Sequence, residues 1–279
     1  MGNGYKDIIK MINKTSGPKS IEEQFVGDVD RTIQVYSSGR TPSRTIKPSM
    51  LGGCKRQQVF VLLGANSDVG LLEEASFVRI GECGTDSHVR LQNACISAEG
   101  FKRPIIWIDP EEELKEAQSK GISTIVKQRQ GNEVKCYNKR FNMSFMCDGI
   151  IQYHNLKMIL EIKTEDHFKW IKRFSAEPKH KYQAICYSLC FGLNDIMFLY
   201  ENRNYCTHKA FHIAITEEQK ETVINEIETI LKYAKDKIIP DKEKKCTYCK
   251  YKQACRHYGS GEHEWNPRSG QKTTYNKLF

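Results

Sequence analysis

Cys246, Cys249 and Cys255 stand near the end of this 279-residue chain in the spacing C-x2-C-x5-C. Three thiolates on so short a segment hold three corners of a zinc ion or an iron–sulfur cluster, and the fourth ligand has to come from elsewhere. A fold that satisfies this must carry a distant segment back to its C-terminal end. The flanking Lys244, Lys245, Lys250 and Lys252 are basic, which is not the setting of packed core thiols. The spacing by itself leaves zinc and iron–sulfur open.

The cysteine count is eleven, an odd number, and residues 1–20 are polar and broken by lysines, unlike a signal peptide. No apolar run reaches the length of a membrane span, and no membrane partner is expected. The expected setting is therefore cytoplasmic and reducing, where cysteines are ligands or buried thiols. A net charge of +9 favours a polyanionic partner, with nucleic acid ahead of a membrane surface.

Residues 1–18 and 259–279 are rich in Gly, Ser, Asn and Lys and read as flexible ends around one domain over 19–258. Helix is expected first, with a start at Pro48-Ser49 and a longer helix carrying Leu72 to Ala94, weakened by Gly81 and Gly84. Short strands follow over 122–128, 133–138, 144–152 and 158–163, as an antiparallel meander. A helix over 179–193, strands over 196–200 and 209–213, and an amphipathic helix over 217–233 complete the order. That order predicts a mixed α/β fold, with a central mixed sheet flanked by helices.

Within the strand over 158–163, Glu161 and Lys163 are two apart and share a face, while Ile162 points to the other. Asp148 is expected within the preceding strand, across a short hairpin. Phosphodiester cleavage needs a divalent cation that activates water and offsets transition-state charge. Two carboxylates suit Mg²⁺ or Mn²⁺, and Lys163 suits a water or a phosphate oxygen. A strand-face ion pair alone would show the same three residues. His88 can add a neutral imidazole nitrogen. Gln183 and Tyr187, four apart on a helix, share a face and can orient Lys163 or grip phosphate.

The order His88, Asp148, Glu161-Ile162-Lys163, Gln183-Ala184-Ile185-Cys186-Tyr187 resembles the motifs of RecB-like nucleases in the PD-(D/E)XK superfamily. The Gln-x-x-x-Tyr element is the specific part. Cys147 stands where the superfamily name has Pro. The resemblance covers about residues 21–257 and implies a restriction-endonuclease-like core. It implies metal ligation by His88, Asp148, Glu161 and the carbonyl of Ile162, with Lys163 catalytic and a histidine ligand favouring Mn²⁺ over Mg²⁺.

The cysteines extend the likeness. The CRISPR-associated exonuclease family (the fourth Cas family) and its phage relatives carry one N-terminal cysteine and a C-terminal C-x2-C-x5-C. Cys54 stands at the matching place, which implies a 4Fe–4S cluster on Cys54, Cys246, Cys249 and Cys255, ahead of zinc. Cys83 and Cys95 are the fallback fourth ligands. Joining Cys54 to Cys246 closes most of the chain into a loop, so the cluster reads as a structural clasp between the N-terminal helical region and the C-terminal segment.

Residues 167–182 interleave bases and aromatics soon after Lys163. Lys169, Lys172 and Arg173 are expected on a nucleic-acid backbone and Trp170 under a base. The expectation is a metal-dependent exonuclease on single-stranded DNA ends, 5′-to-3′ by resemblance, in recombination, repair, replication or CRISPR adaptation. The resemblance implies a helicase, recombination or CRISPR-adaptation protein as partner; the chain itself has no phosphate-binding loop and does not read as a helicase. An inactive DNA-binding adaptor and a zinc-containing nucleic-acid-binding module are the competing readings.

Overall fold

The structure is a computed structural model and describes residues 20–37, 43–67, 75–243 and 249–266. Its helices are α1 (Ile21–Ser37), α2 (Lys55–Leu63), α3 (Ala75–Ser97), α4 (Pro110–Ser119), α5 (His167–Ile171), α6 (Pro178–Phe191), α7 (Glu217–Asp236) and α8 (Lys252–Tyr258). Its strands are β1 (Ile105–Ile108), β2 (Thr124–Gln130), β3 (Glu133–Asn138), β4 (Met143–Cys147), β5 (Gly149–Tyr153), β6 (Leu156–Glu165), β7 (Asp195–Asn202), β8 (His208–Ala214), β9 (Ile238–Ile239) and β10 (His263–Glu264). Helix α1 and the start of α3, as far as Ile80, form one compact unit. The other described residues form the second, which carries all the sheets.

The main sheet has the order β1-β5-β6-β7-β8. Strands β6 and β7 are parallel and the remaining pairs antiparallel. A parallel pair cannot be joined by a tight turn, and α5 and α6 make the crossover. The alternation of β6 divides the interior. Met158, Leu160 and Ile162 pack with Ile151, Leu91 and Cys95, so α3 covers one face. Ile159 joins the larger core with Ala184, Ile185 and Tyr187 of α6 and with Val223, Ile227 and Ile230 of α7. Helices therefore flank both faces of a mixed sheet, the α/β class that the sequence predicts.

Several elements depart from expectation. The meander is split between two sheets, because β2-β3-β4 form an antiparallel sheet of their own. The strand expected over 144–152 is two strands, and Asp148 is the single residue between them. The chain changes sheet there, so Asp148 cannot lie within a strand. Gly149 follows under tight packing: a Cβ on it would lie 2.3 Å from the Trp107 ring. The helix expected from Pro48 is only one turn, Pro48–Met50, and α2 begins after Cys54 because Gly52 takes φ +68°. Helix α3 runs unbroken through Gly81 and Gly84. Helix α4 was not foreseen, although Asp109 caps it through the Glu111 amide at 2.8 Å, with Pro110 at its first turn.

Of the tail expected over 259–279, residues 259–266 are described and are folded against the rest, while 267–279 lie outside the described residues. Strand β10 pairs with β9, and the carbonyls of Gly259 and Gly261 accept hydrogen bonds from Arg56. Arg56 is 1% exposed. Its Nε donates to the Pro240 carbonyl at 2.6 Å, its Nη1 to Gly259 at 2.6 Å and its Nη2 to Gly261 at 2.8 Å. Phe60, one turn further along α2, meets the rings of Tyr251, Tyr258 and Trp265. A planar guanidinium satisfies three divergent carbonyls at once, which a lysine ammonium cannot reproduce.

Arg56→Met is expected to leave those carbonyls buried without donors and to lower unfolding free energy by roughly 3 kcal/mol or more. Urea midpoints at constant slope measure this, and Arg56→Lys should recover only a minor part.

Candidate active site and cysteine site

The turn at His154-Asn155 returns β5 into β6, and Gly149 faces Leu160 across the pair. This brings Asp148 against the end of β6, where its Oδ2 accepts from the Ile162 amide at 2.7 Å. Glu161 and Lys163 share the β6 face opposite Ile162, and the Lys163 ammonium donates to Glu161 Oε1. Glu161 is 1% exposed and Asp148 8%. His88, on α3, places Nδ1 3.3 Å from Asp148 Oδ1. From the other face of the sheet, Tyr187 of α6 packs on Phe145, and its hydroxyl accepts from Gln183 Nε2 at 2.7 Å. Side chains from the β4–β5 junction, β6, α3 and α6 thus meet at one place.

Burial dominates the charges. It pushes Glu161 up to about 7 against the opposing pull of Lys163. Asp148 feels the same burial, but the hydrogen bond and charge of His88, the charge of Lys163 and the Ile162 amide together hold it below the usual carboxylate range. Burial draws His88 down, yet Asp148 outweighs it and leaves the imidazole raised. Lys163 is likewise raised, because Glu161 and Asp148 overcome its desolvation. Tyr187 is pushed well up by burial and then by the charges of Glu161 and Asp148, so its phenol keeps its proton.

Sequence reasoning missed Glu133, Gln92, His180 and Tyr200. Glu133 opens β3, and its Oε1 lies 3.9 Å from His88 Nδ1. The ligand atoms of His88, Glu133 and Asp148 lie within 4.8 Å of one another, a grouping that could hold a metal ion. Gln92, one helical turn beyond His88, donates to the Asp148 carbonyl at 2.8 Å and to Glu133 Oε1 at 3.3 Å. The Gln130-Gly131-Asn132 turn announces a strand start at Glu133, but nothing local ties Glu133 to His88. The i, i+4 spacing of His88 and Gln92 is the one signal that was available.

His180 and Tyr200 lie beside Lys163. The Tyr200 hydroxyl accepts from the Glu177 amide at 3.1 Å and sits 2.8 Å from His180 Nδ1. Burial first, then the charges of Lys163, Arg173 and Lys179, press His180 down to about 3, so the imidazole facing Tyr200 is neutral.

The nucleic-acid segment is only partly presented. Lys169 and Lys172 are exposed. Trp170 is not available as a stacking surface in the way expected: Lys209 lies 4.2 Å above its ring and the indole packs against the main core. Arg173 is held by Glu165 and Glu177 and lies over Tyr200 at 5.1 Å, so it is a half-buried tie. The open aromatics of this region are Phe168, 75% exposed, and Phe174, 84% exposed.

At the cysteine site, Cys54 caps the start of α2, and Arg56 Nη1 lies 3.5 Å from Cys255 Sγ. The Tyr251 amide donates to Cys249 Sγ at 3.4 Å, and Lys55 pairs with Glu243 at 3.0 Å. Cys246 lies outside the described residues. N–H donors are thus aimed at the sulfurs of Cys249 and Cys255, whereas the group of side chains among the described residues that could hold a metal ion is His88, Glu133 and Asp148. Cys95 packs in the opposite core with Ile162, which removes it as a fallback ligand.

No protein-family model and no curated protein match the chain. Among solved structures, the crystal structure of SSO0001 aligns with a TM-score of 0.46 and 13% identity, over 85% of this chain and 98% of that one. LHK-Exo in complex with dAMP aligns at 0.42 and 12% identity, over 69% and 88% of the two chains. LHK-Exo, an alkaline exonuclease from Laribacter hongkongensis, aligns at 0.40 and 12% identity, over 70% and 89%. At such scores and identities these likenesses assign no function. Among the described residues, no helix is long and apolar enough to cross a membrane.

His180 provides a test of the electrostatics. Its ordinary value is 6.5 and its folded value about 3, so between them the unfolded chain binds a proton that the native protein refuses. Stability is expected to fall as pH drops below 6.5. His180→Gln should gain stability relative to wild type over that range, read from urea midpoints taken downward from neutral pH.

Proposed function

We propose that the protein is a metal-dependent nuclease that hydrolyses DNA phosphodiester bonds. The observation that carries this reading is the convergence of Asp148, Glu161, Lys163 and His88 at the end of β6, with the Gln183–Tyr187 pair beside them. A surface ion pair does not account for it, because Asp148 and Glu161 are both buried.

Asp148, Glu161, His88 and the Ile162 carbonyl would hold a divalent cation, and carboxylate with imidazole suits Mn²⁺ or Mg²⁺. When bound, such a cation activates water and offsets charge on the scissile phosphate. Lys163 donates a hydrogen bond to Glu161, keeps its charge, and presents it to a phosphate oxygen or to the attacking water. Tyr187 accepts from Gln183, which leaves its own O–H proton to donate to a phosphate oxygen. Asp148 is kept ionised by His88 and the Ile162 amide, as a ligand must be.

The substrate we infer is single-stranded DNA with a free end. Lys169 and Lys172 supply charge near the site, and the exposed Phe168 and Phe174 replace Trp170 as stacking surfaces. Exonucleolytic 5′-to-3′ action, and work beside a helicase, recombination or CRISPR-adaptation protein, come from the motif resemblance. The same resemblance supports a 4Fe–4S cluster on Cys54, Cys246, Cys249 and Cys255, with zinc as the alternative metal. Such a cluster would join the segments of Cys54 and Cys255 that Arg56 already joins.

Cleavage of 5′- and 3′-labelled oligonucleotides with Mn²⁺ tests the activity. Wild type should degrade them, and the ladder from each label gives polarity. Glu161→Ala should lose at least about a hundredfold in rate, in line with removal of a charge-stabilising group. Equal cleavage by both proteins, or none by folded wild type on single-stranded, flapped and duplex DNA, would turn the reading to a DNA-binding adaptor. For the cluster, Cys249→Ser is expected to lose visible iron–sulfur absorbance and to melt lower. Undiminished absorbance would remove Cys249 as a ligand.

A further inference from the structure

We propose that Lys47 and Lys135, brought together on the outer face of the β2-β3-β4 sheet, form a phosphate-binding pair that leads a single-stranded nucleic acid to the candidate site. The alternation of β3 sets that face. Val134, Cys136 and Asn138 are buried, so Glu133, Lys135 and Tyr137 point the other way. Glu133 lies against His88 at the candidate site, and Lys135 follows two residues later, about 7 Å along the strand. Across the pair Lys135 faces Met146, two residues before Asp148. The same face carries Lys127, whose ammonium lies 5.3 Å from the centre of the Tyr137 ring.

Lys47 arrives from a distant segment. Ile46 is fully buried and bridges in parallel to Met143 at the open edge of β4. Its amide donates to the Asn142 carbonyl at 2.8 Å, and its carbonyl accepts from the Ser144 amide at 3.1 Å. The backbone is extended at Lys47, with φ −112° and ψ 119°. With Ile46 turned into the core, Lys47 is turned to the outer face, where its half-buried ammonium meets the charge of Lys135.

Charge carries the argument further. Elsewhere in the fold carboxylates answer the cations: Asp109 and Glu111 hold Arg129, Glu113 and Glu116 hold Lys157, and Glu165 and Glu177 hold Arg173. Among the described residues Lys47 and Lys135 have no acidic partner and face each other instead. Burial first, and Lys135 second, hold the Lys47 ammonium below the usual lysine range. Two like charges held together cost stability, and a bound phosphate supplies the missing counter-charge. The face runs along β3 and β4 to Glu133 and Asp148, so the ligand that covers it is one that reaches the candidate site. That this ligand is single-stranded DNA rests on the nuclease reading.

The test is binding of a labelled oligothymidylate to the purified full chain, without divalent cations, over a series of salt concentrations. Lys47→Met and Lys135→Met remove the charge and keep an apolar stem. Each should flatten the slope of log affinity against log salt by about 0.7, and the double variant by about 1.4. Lys232→Met, at an exposed position on α7, should leave the slope unchanged. Lys47→Met should also hold or raise the urea midpoint, because it removes a charge that the fold disfavours. A role in the fold alone would lower it. A lowered midpoint for Lys47→Met, an unchanged slope in the double variant, or an equal loss from Lys232→Met overturns the proposal. The readout is independent of cleavage. Flattened slopes in a protein that cuts no DNA would leave the lysine pair standing and remove the nuclease reading, and cutting with unchanged slopes would do the reverse.

Discussion

Asp148 is the pivot of the structure. It is the one residue between β4 and β5, where the chain leaves a small antiparallel sheet for the main one. A buried carboxylate at such a junction is tolerated only when every oxygen is engaged. The Ile162 amide takes one oxygen and His88 faces the other, so β6 and α3 are both committed by the same side chain. Gly149 allows Trp107 to close directly over the junction. The position of the candidate site and the change of sheet are thus one event.

A second constraint acts at the far end of the chain. Arg56 takes three backbone carbonyls from two C-terminal stretches, and the ring of Phe60 seats the aromatic side chains beside them. Cys54 lies two residues before Arg56, and Cys255 lies against the guanidinium. Protein contacts and a metallocluster would therefore reinforce one closure. Both join segments far apart in sequence, where cross-linking removes the most chain entropy.

Around the site, cations are divided between holding and presenting. Arg173 and Lys209 are tied to carboxylates, carbonyls and ring faces, while Lys169 and Lys172 stay in solvent. A basic segment read along the chain looks uniform, but only its exposed members, Lys172 and Lys169 (which makes a loose surface pair with Asp166 at 3.9 Å), are open to a polyanion. The same sorting applies to the aromatics: Trp170 is packed and Phe168 and Phe174 are open.

What could be read from the sequence was local or periodic. The alternation of β6 places Glu161 and Lys163 together and Ile162 opposite, and i, i+4 spacing puts Gln183 beside Tyr187. Those relations follow from strand and helix geometry, which neighbouring residues set by themselves. The Asp109-Pro110 start of α4 was also legible in this way and was passed over. The break at Asp148, the covering of Trp170, the order of residues 259–266 and the meeting of Glu133 with His88 were decided only in three dimensions. Each depends on a partner from another element, chosen by burial and hydrogen-bond satisfaction, and no spacing along the chain encodes that choice. The sequence by itself determined the chemistry available and the faces that carry it, and the tertiary structure decided which charges are paired, which are buried together and which are exposed.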